Sequence, residues 1–232
     1  MLFRQLFDKE SSTYTYLIAD TTTQEAVLVD PVLEQLSRDL ALLKDLGLNL
    51  RYSLETHIHA DHITATSKLR EDTGCWGVVP ENADAECADK YIKNGEILLL
   101  GEIEIRAIAT PGHTDSHMAY LVNGTHLLTG DALLIRGCGR TDFQSGDSGT
   151  LYDSVVGKLF NLPPETLVYP AHDYRGHTVS TIEEERRLNP RFTDKNRDDF
   201  IEFMSNLKLP MPQKIMEALP ANERCGNLDT SV

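Results

Sequence analysis

Thr56-His57-Ile58-His59-Ala60-Asp61-His62 places three imidazoles and a carboxylate within six consecutive residues. Imidazole and carboxylate are the borderline and hard ligands that suit zinc, iron or manganese, and such a density of them needs either solvent, partners or a metal. A strand-like run, Tyr52 to Leu54, leads into this segment. Three other such runs end in the same way. Ile103, Ile105 and Ala107 alternate with polar residues up to Thr110-Pro111-Gly112-His113; His126 to Thr129 runs into Gly130-Asp131; Thr166 to Tyr169 runs into Pro170-Ala171-His172. In layered α/β proteins, loops at one end of the sheet gather the functional groups while the strands hold them rigid. Four strand ends carrying ligand-type residues therefore predict one metal site. Five of the eight histidines fall in these segments; His117, His126 and His177 are scattered and read as ordinary polar groups.

Around these segments the pattern is that of an α/β chain. Thr13 to Ala19 and Ala26 to Val29 predict strands. Asp30-Pro31 then reads as an N-cap and first helical position, and Leu33, Leu36, Leu40 and Leu43 recur at helical spacing until Gly47. Helices are expected over Thr150 to Phe160, Thr181 to Leu188 and Arg197 to Leu207, followed by a Pro-rich tail from Leu209 to Pro220. No repeat or linker separates a second domain, so residues 1–232 are expected to form a single domain with a C-terminal helical and Pro-rich extension from about 178. Trp76 and the leucines read as core, and Glu183-Glu184-Glu185 as a solvated helix face.

Composition narrows the partners. Lys plus Arg number 22 against 36 Asp plus Glu, a net charge of −14, which repels nucleic acid and anionic lipid and makes any Arg near the site informative. Cys75, Cys87, Cys138 and Cys225 show neither a C-x-x-C pair nor a disulfide framework, which fits a reducing compartment. The N-terminal Met-Leu-Phe-Arg-Gln-Leu-Phe-Asp lacks a signal-peptide core, and no apolar run is long enough to cross a bilayer, so a cytoplasmic location is expected.

The H-x-H-x-D-H segment followed by Gly112-His113, Gly130-Asp131 and Ala171-His172 resembles the metallo-β-lactamase superfamily. Three longer stretches look like one branch of it, the persulfide dioxygenases: Gly130 to Phe143, with Arg136, Cys138, Arg140 and Asp142; Tyr169 to Tyr174; and Thr181 to Arg191. The match continues through Leu207 to Pro212 and Pro220 to Gly226. The resemblance implies an αββα sandwich of two mixed sheets flanked by helices. It also implies one Fe(II) per chain, held by His57, His113 and Asp131 as a two-histidine, one-carboxylate set with positions open for substrate and O₂. His59, Asp61, His62 and His172 would then orient these ligands. The implied reaction oxidises glutathione persulfide with O₂ to sulfite and glutathione, in sulfide detoxification.

Glutathione's carboxylates need cations in an acidic protein, and Arg140 and Arg191 lie in the family-like loops, with Tyr174 placed to donate to the peptide part. Cys138, between two glycines, reads as a small residue in a tight turn rather than a sulfur relay. Two other readings stand beside this one. A glyoxalase II-like thiolester hydrolase would use all seven ligand-type residues for two metals, although Ile63-Thr64-Ala65-Thr66 stands where such hydrolases carry a Gly pair. A non-catalytic iron sensor of sulfide or oxygen would bind the metal without turnover. Thr114-Asp115-Ser116-His117 departs from the Thr-Pro-Gly of many relatives. A homodimer is compatible with the sequence.

Overall fold

The structure, a computed structural model, describes residues 1–211 and 214–228. Pro212, part of the expected Pro-rich stretch, lies outside the described residues. Two mixed six-stranded sheets with accompanying helices are present, as the family resemblance implied. By internal contacts the chain divides into two compact units. The first comprises Met1–Ile92, Leu98–Glu104 and Met211–Val232, the second Lys93–Ile97 and Ile105–Pro210.

The first unit holds β1 (Leu2–Asp8), β2 (Thr13–Asp20), β3 (Glu25–Val29), α1 (Leu36–Asp45), β4 (Asn49–Leu54), α2 (Thr66–Thr73), β5 (Trp76–Pro80) and β6 (Lys90–Ile92). Its strands pair in sequence order, antiparallel from β1 to β3 and parallel from β3 to β6. β2 is buried along its whole length, and Leu17, Leu28, Leu43, Leu50 and Leu69 form an apolar cluster with the helices. Parallel strands need crossover connections; α1 and α2 supply those from β3 to β4 and from β4 to β5, and residues 81–89 join β5 to β6 without a helix. The parallel register Val29↔Leu54 sets the end of β3 beside the end of β4, so that Asp30 lies next to Glu55 and Thr56.

Asp30 is consequently not the predicted N-cap. It adopts φ 52° and donates its N–H to Leu54 O at 2.9 Å, while the helical turn begins only at Leu33 and runs into α1. Its carboxylate is engaged across the sheet by Thr56 instead. Gly47, at φ 64°, does terminate the α1 segment as expected.

The second six-stranded sheet contains β7 (Ile97–Leu100), β8 (Ile103–Ala109), β9 (Met118–Val122), β10 (His126–Gly130), β11 (Leu167–Pro170) and β12 (Ser180–Thr181), in the order β12-β11-β10-β9-β8-β7. β8 shows the alternating burial that its sequence predicted. α3 (Ser148–Gly157), α4 (Ile182–Leu188) and α5 (Arg197–Ser205) belong to the second unit. Its core joins Leu127 and Val168 to Leu151, Phe160, Phe192 and Phe200, with Phe192 stacked on Phe200 at 4.9 Å. Thr181 caps α4 by accepting from Glu184 N, and Asn196 caps α5 in a reciprocal box with Asp199.

Four further expectations need correction. Glu185, expected with Glu183 and Glu184 on a solvated helix face, is fully buried and accepts from Arg136 N and Asn189 Nδ2, each at 2.9 Å. The Pro-rich tail contains a helix, α6 (Ile215–Asn222), with Pro220 inside it. Ile215, Ala218 and Ala221 are buried at helical spacing, which overrides the proline's breaking tendency in so short an element. Trp76 is 55% exposed at the start of β5 rather than core. Cys87 and Cys225, 138 residues apart, form a disulfide that no local cysteine spacing revealed.

Candidate metal centre

In the first unit, β4 delivers the chain directly into Glu55-Thr56-His57. Asp30 Oδ1 accepts from Thr56 N at 2.7 Å and Oδ2 accepts from Thr56 Oγ1 at 2.9 Å. Because that hydroxyl donates its single proton to Asp30, it meets His57 Nδ1, 2.9 Å away, as an acceptor. His57 Nδ1 therefore carries the ring proton, and Nε2 keeps its lone pair. Orienting chains of this kind are what metal-binding histidines require.

His59 and His62 extend the cluster, with ring centroids 4.1 Å from His57 to His59 and 4.3 Å from His59 to His62. His59 Nε2 faces Asp30 Oδ1 at 3.2 Å and Glu55 Oε2 at 3.4 Å. Burial alone would lower the His59 pKa, but these carboxylates raise it well above the ordinary histidine value. This geometry suits His59 as an orienting group. His62 Nδ1 pairs with Asp61 Oδ2 at 3.0 Å, and its buried Nε2 has no hydrogen-bond partner among the described residues. Two sets in this unit, His59 with Asp61 and His62, and Asp30 with Glu55 and His59, bring their ligand atoms within 4.8 Å of one another.

In the second unit, the parallel pairing Gly130↔Pro170 sets the residues after β10 and β11 side by side. His172 Nε2 lies 3.6 Å from Asp131 Oδ1, and His113 Nε2 lies 3.5 Å from Asp131 Oδ2. His113 Nδ1 is 2.7 Å from Arg140 O, which can only accept, so His113 also carries its proton on Nδ1 and leaves Nε2 as a lone pair. Asp131 Oδ1 is buried without a hydrogen bond among the described residues. Buried polar atoms in native folds are almost always satisfied, so a lone pair on a buried carboxylate beside two imidazoles fits a cation. Gly139 is required for this arrangement: a Cβ there would lie 2.5 Å from Asp131 O and 2.8 Å from His113 Nδ1.

His117 is, as expected, a satisfied polar group rather than a ligand, and its partner is the backbone of Asp131. The antiparallel register Ala109↔Met118 places Thr110 opposite His117. His117 Nε2 accepts from the Asp131 backbone N–H at 3.0 Å, which leaves the ring proton on Nδ1, 2.8 Å from Thr110 Oγ1. A neutral imidazole thus fixes the Asp131 backbone. The signal was present in the hairpin register of β8 and β9, not in any motif.

Among the expected substrate-binding residues, Arg140 directs Nε and Nη2 to Asp142 at 2.7 and 2.8 Å and Nη1 to Pro210 O at 2.7 Å, and its guanidinium covers the Phe143 ring. The Arg191 guanidinium stacks on Phe203 at 5.0 Å and makes no ion pair among the described residues. Tyr174 is 72% exposed and stacks on His172 with ring centroids 6.1 Å apart. Cys138 lies against Met204, and burial pushes its thiol up to about 12. A thiol held protonated is a poor nucleophile, in keeping with the structural role read from its glycine neighbours.

No described helix is long and apolar enough to cross a membrane. Residues 8–172 match the family model of the metallo-β-lactamase superfamily, and this fold, together with the prepared donors, supports a metal cofactor. The chain is 52% identical over 228 residues to Persulfide dioxygenase ETHE1, mitochondrial, of Mus musculus, covering 97% of this chain and 89% of that protein. The Homo sapiens protein of the same name is 51% identical over the same shares. The crystal structure of ETHE1 from Myxococcus xanthus superposes with a TM-score of 0.96 at 54% identity, covering 98% of this chain and all of that one. The chain belongs to the metallo-β-lactamase superfamily and, within it, to the persulfide dioxygenases.

Proposed function

We propose that this protein oxidises glutathione persulfide with O₂ to sulfite and glutathione, using one ferrous ion per chain held by His57, His113 and Asp131. The observation that carries this reading is the similarity to persulfide dioxygenases along nearly the whole chain. The overall reaction consumes persulfide, O₂ and one water, and yields glutathione, sulfite and two protons. When bound, ferrous iron supplies the electron exchange with O₂ that no side chain can perform. The chain's own groups do the rest. His57 and His113 present Nε2 lone pairs because Thr56 and Arg140 O hold their Nδ1 protons. Asp131 presents its carboxylate from a backbone fixed by His117. His59, Asp61, His62 and His172 orient the ligands and their surroundings rather than hold a second ion.

Arg191 is the cation assigned to a glutathione carboxylate, since its guanidinium has no carboxylate partner among the described residues. Tyr174 is assigned a hydrogen bond to the peptide part. The Arg140 side chain is engaged by Asp142, so for substrate binding it would exchange one carboxylate for another. Meanwhile its carbonyl holds His113. Cys138, a thiol against Met204 that burial keeps protonated, is assigned no part in sulfur transfer. We further propose a cytoplasmic location, no nucleic-acid or membrane partner, and the entire chain acting as one functional domain.

The test runs two assays on one anaerobically prepared sample: O₂ uptake with glutathione persulfide, and cleavage of a glutathione thiolester. Persulfide-dependent O₂ uptake with sulfite formation and negligible thiolester cleavage is expected. Thiolester cleavage without O₂ uptake would assign the site to a hydrolase, and iron binding with neither activity would assign it to a sensor.

A further inference from the structure

The His57 to His62 loop is held from outside its own sheet by a residue near the C-terminus. Asn222, in the last turn of α6, is 3% exposed. Its Oδ1 accepts from Thr64 N at 2.9 Å, and its Nδ2 donates to His59 O and His62 O, each at 2.8 Å. One carboxamide thus serves three backbone groups of the segment that carries His57, His59 and His62. The residues that follow lie against Thr64 and the start of α2: Cys225 O accepts from Ser67 N at 2.8 Å, and a Cβ on Gly226 would stand 1.9 Å from Thr64 O. Glu55, His57, His59, Thr64, Asn222 and Cys225 line one small cavity.

α6 depends on tertiary support: Ile215, Ala218 and Ala221 are buried, and Lys214 pairs with Glu34 and Glu10 at 2.8 and 2.9 Å. It has eight residues, no side-chain cap at Lys214 and a proline inside it, and a helix this short is marginal without tertiary support. The Cys87–Cys225 disulfide supplies covalent support three residues beyond Asn222. Cys87 lies between β5 and β6, where Arg70 Nη1 holds its carbonyl at 2.9 Å. Its side is partly open, whereas Cys225 is 2% exposed. A thiol therefore has access to one end of the bridge.

We propose that Asn222 is a positioning residue for the metal-ligand loop and that the Cys87–Cys225 bridge is its redox latch. With the bridge closed, the carboxamide is pressed against residues 59, 62 and 64; with the bridge open, it is released and the loop loosens. Opening is a thiol–disulfide exchange with a low-molecular-weight thiol. A thiolate attacks the Cys87 sulfur and forms a mixed disulfide, while Cys225 leaves as a thiolate and takes a proton. A second thiol attacks the sulfur of the bound thiol, freeing Cys87 as a thiol and leaving the disulfide of the two reagent molecules. Two electrons and two protons pass to the protein. The proposal rests on the reading of His57 as a metal ligand, but not on persulfide as the substrate.

The experiment uses the iron-loaded full chain with its bridge intact, verified by non-reducing peptide mapping, beside the glutathione-reduced protein and the variants Cys87→Ser, Asn222→Ala and their combination. Two readouts are taken: hydrogen exchange at the Thr64 amide, and release of iron to a chelator. Reduction, Cys87→Ser and Asn222→Ala should each speed both by about tenfold, the scale of one lost buried hydrogen bond. The double variant should exceed neither single one, and exchange at Leu127 and Leu128 in β10 should not change. Absence of the bridge, equal behaviour of the bridged and reduced protein, multiplying effects in the double variant, or a matching rise in β10 would each overturn the proposal. Neither readout needs persulfide, so a failure of persulfide oxidation would count against the function alone.

Discussion

Thr56→Val removes one hydroxyl and keeps the side chain's shape, and that hydroxyl is the link between Asp30 and His57. It donates to Asp30 Oδ2 at 2.9 Å and faces His57 Nδ1 at 2.9 Å, in a buried setting. The backbone bond from Thr56 N to Asp30 Oδ1 at 2.7 Å survives the change, so the loop is expected to keep its path. What is lost is the acceptor that keeps the His57 proton on Nδ1. Leaving a buried polar group unpaired costs about 1–3 kcal/mol. Removing a partner behind a metal-binding histidine typically weakens metal affinity about 10–100-fold. The two figures agree, because each tenfold change corresponds to about 1.4 kcal/mol. Anaerobic competition between the protein and a chelator for ferrous iron measures the effect directly. Thr56→Ser restores the hydroxyl and should recover most of the affinity, whereas Thr56→Val should not. Wild-type iron affinity in Thr56→Val, or equal losses in the Ser and Val variants, would refute the proton-placement argument for His57.

Arg191→Ala should raise the KM for glutathione persulfide about tenfold or more with kcat little changed, as expected for loss of one charge-assisted contact made equally in the ground and transition states; steady-state O₂ uptake checks this. Gly139→Ala forces a methyl group into the space of Asp131 O and His113 Nδ1, so the purified variant should retain less than a tenth of the wild-type iron by elemental analysis, a loss on the scale of one displaced ligand. Cys138, with its thiol pushed up to about 12, should resist alkylation by iodoacetamide at pH 8 in the folded protein, and Cys138→Ala should keep its kcat; rapid labelling read by mass spectrometry, or loss of turnover in the variant, would show that the thiol takes part.

Much of the candidate site was legible because its ligand-type residues sit at strand ends. The period-two pattern of Ile103, Ile105 and Ala107 and the apolar run at His126 to Thr129 end where β8 and β10 end, and His113 and Asp131 follow. What was hidden depends on register and long-range contact. Asp30-Pro31 ahead of a leucine repeat carries the same local signal as a helix start. Only the parallel pairing of β3 with β4 turns Asp30 toward Thr56. His117 lies outside every motif, and its contact with the Asp131 backbone follows from the β8–β9 hairpin. α6 was concealed by Pro220, because eight residues give too short a window for helical period to outweigh a proline. The Cys87–Cys225 bridge spans 138 residues, a separation that no spacing rule covers.

The most direct test of the account is a titration of metal-free protein with ferrous iron under anaerobic conditions, with persulfide-dependent O₂ uptake measured at each point. Activity should rise linearly and stop at one equivalent of iron per chain, and Asp131→Ala should bind none. Activity that keeps rising to two equivalents, or an Asp131→Ala protein that still binds iron and turns over, would contradict a single ferrous centre held by His57, His113 and Asp131.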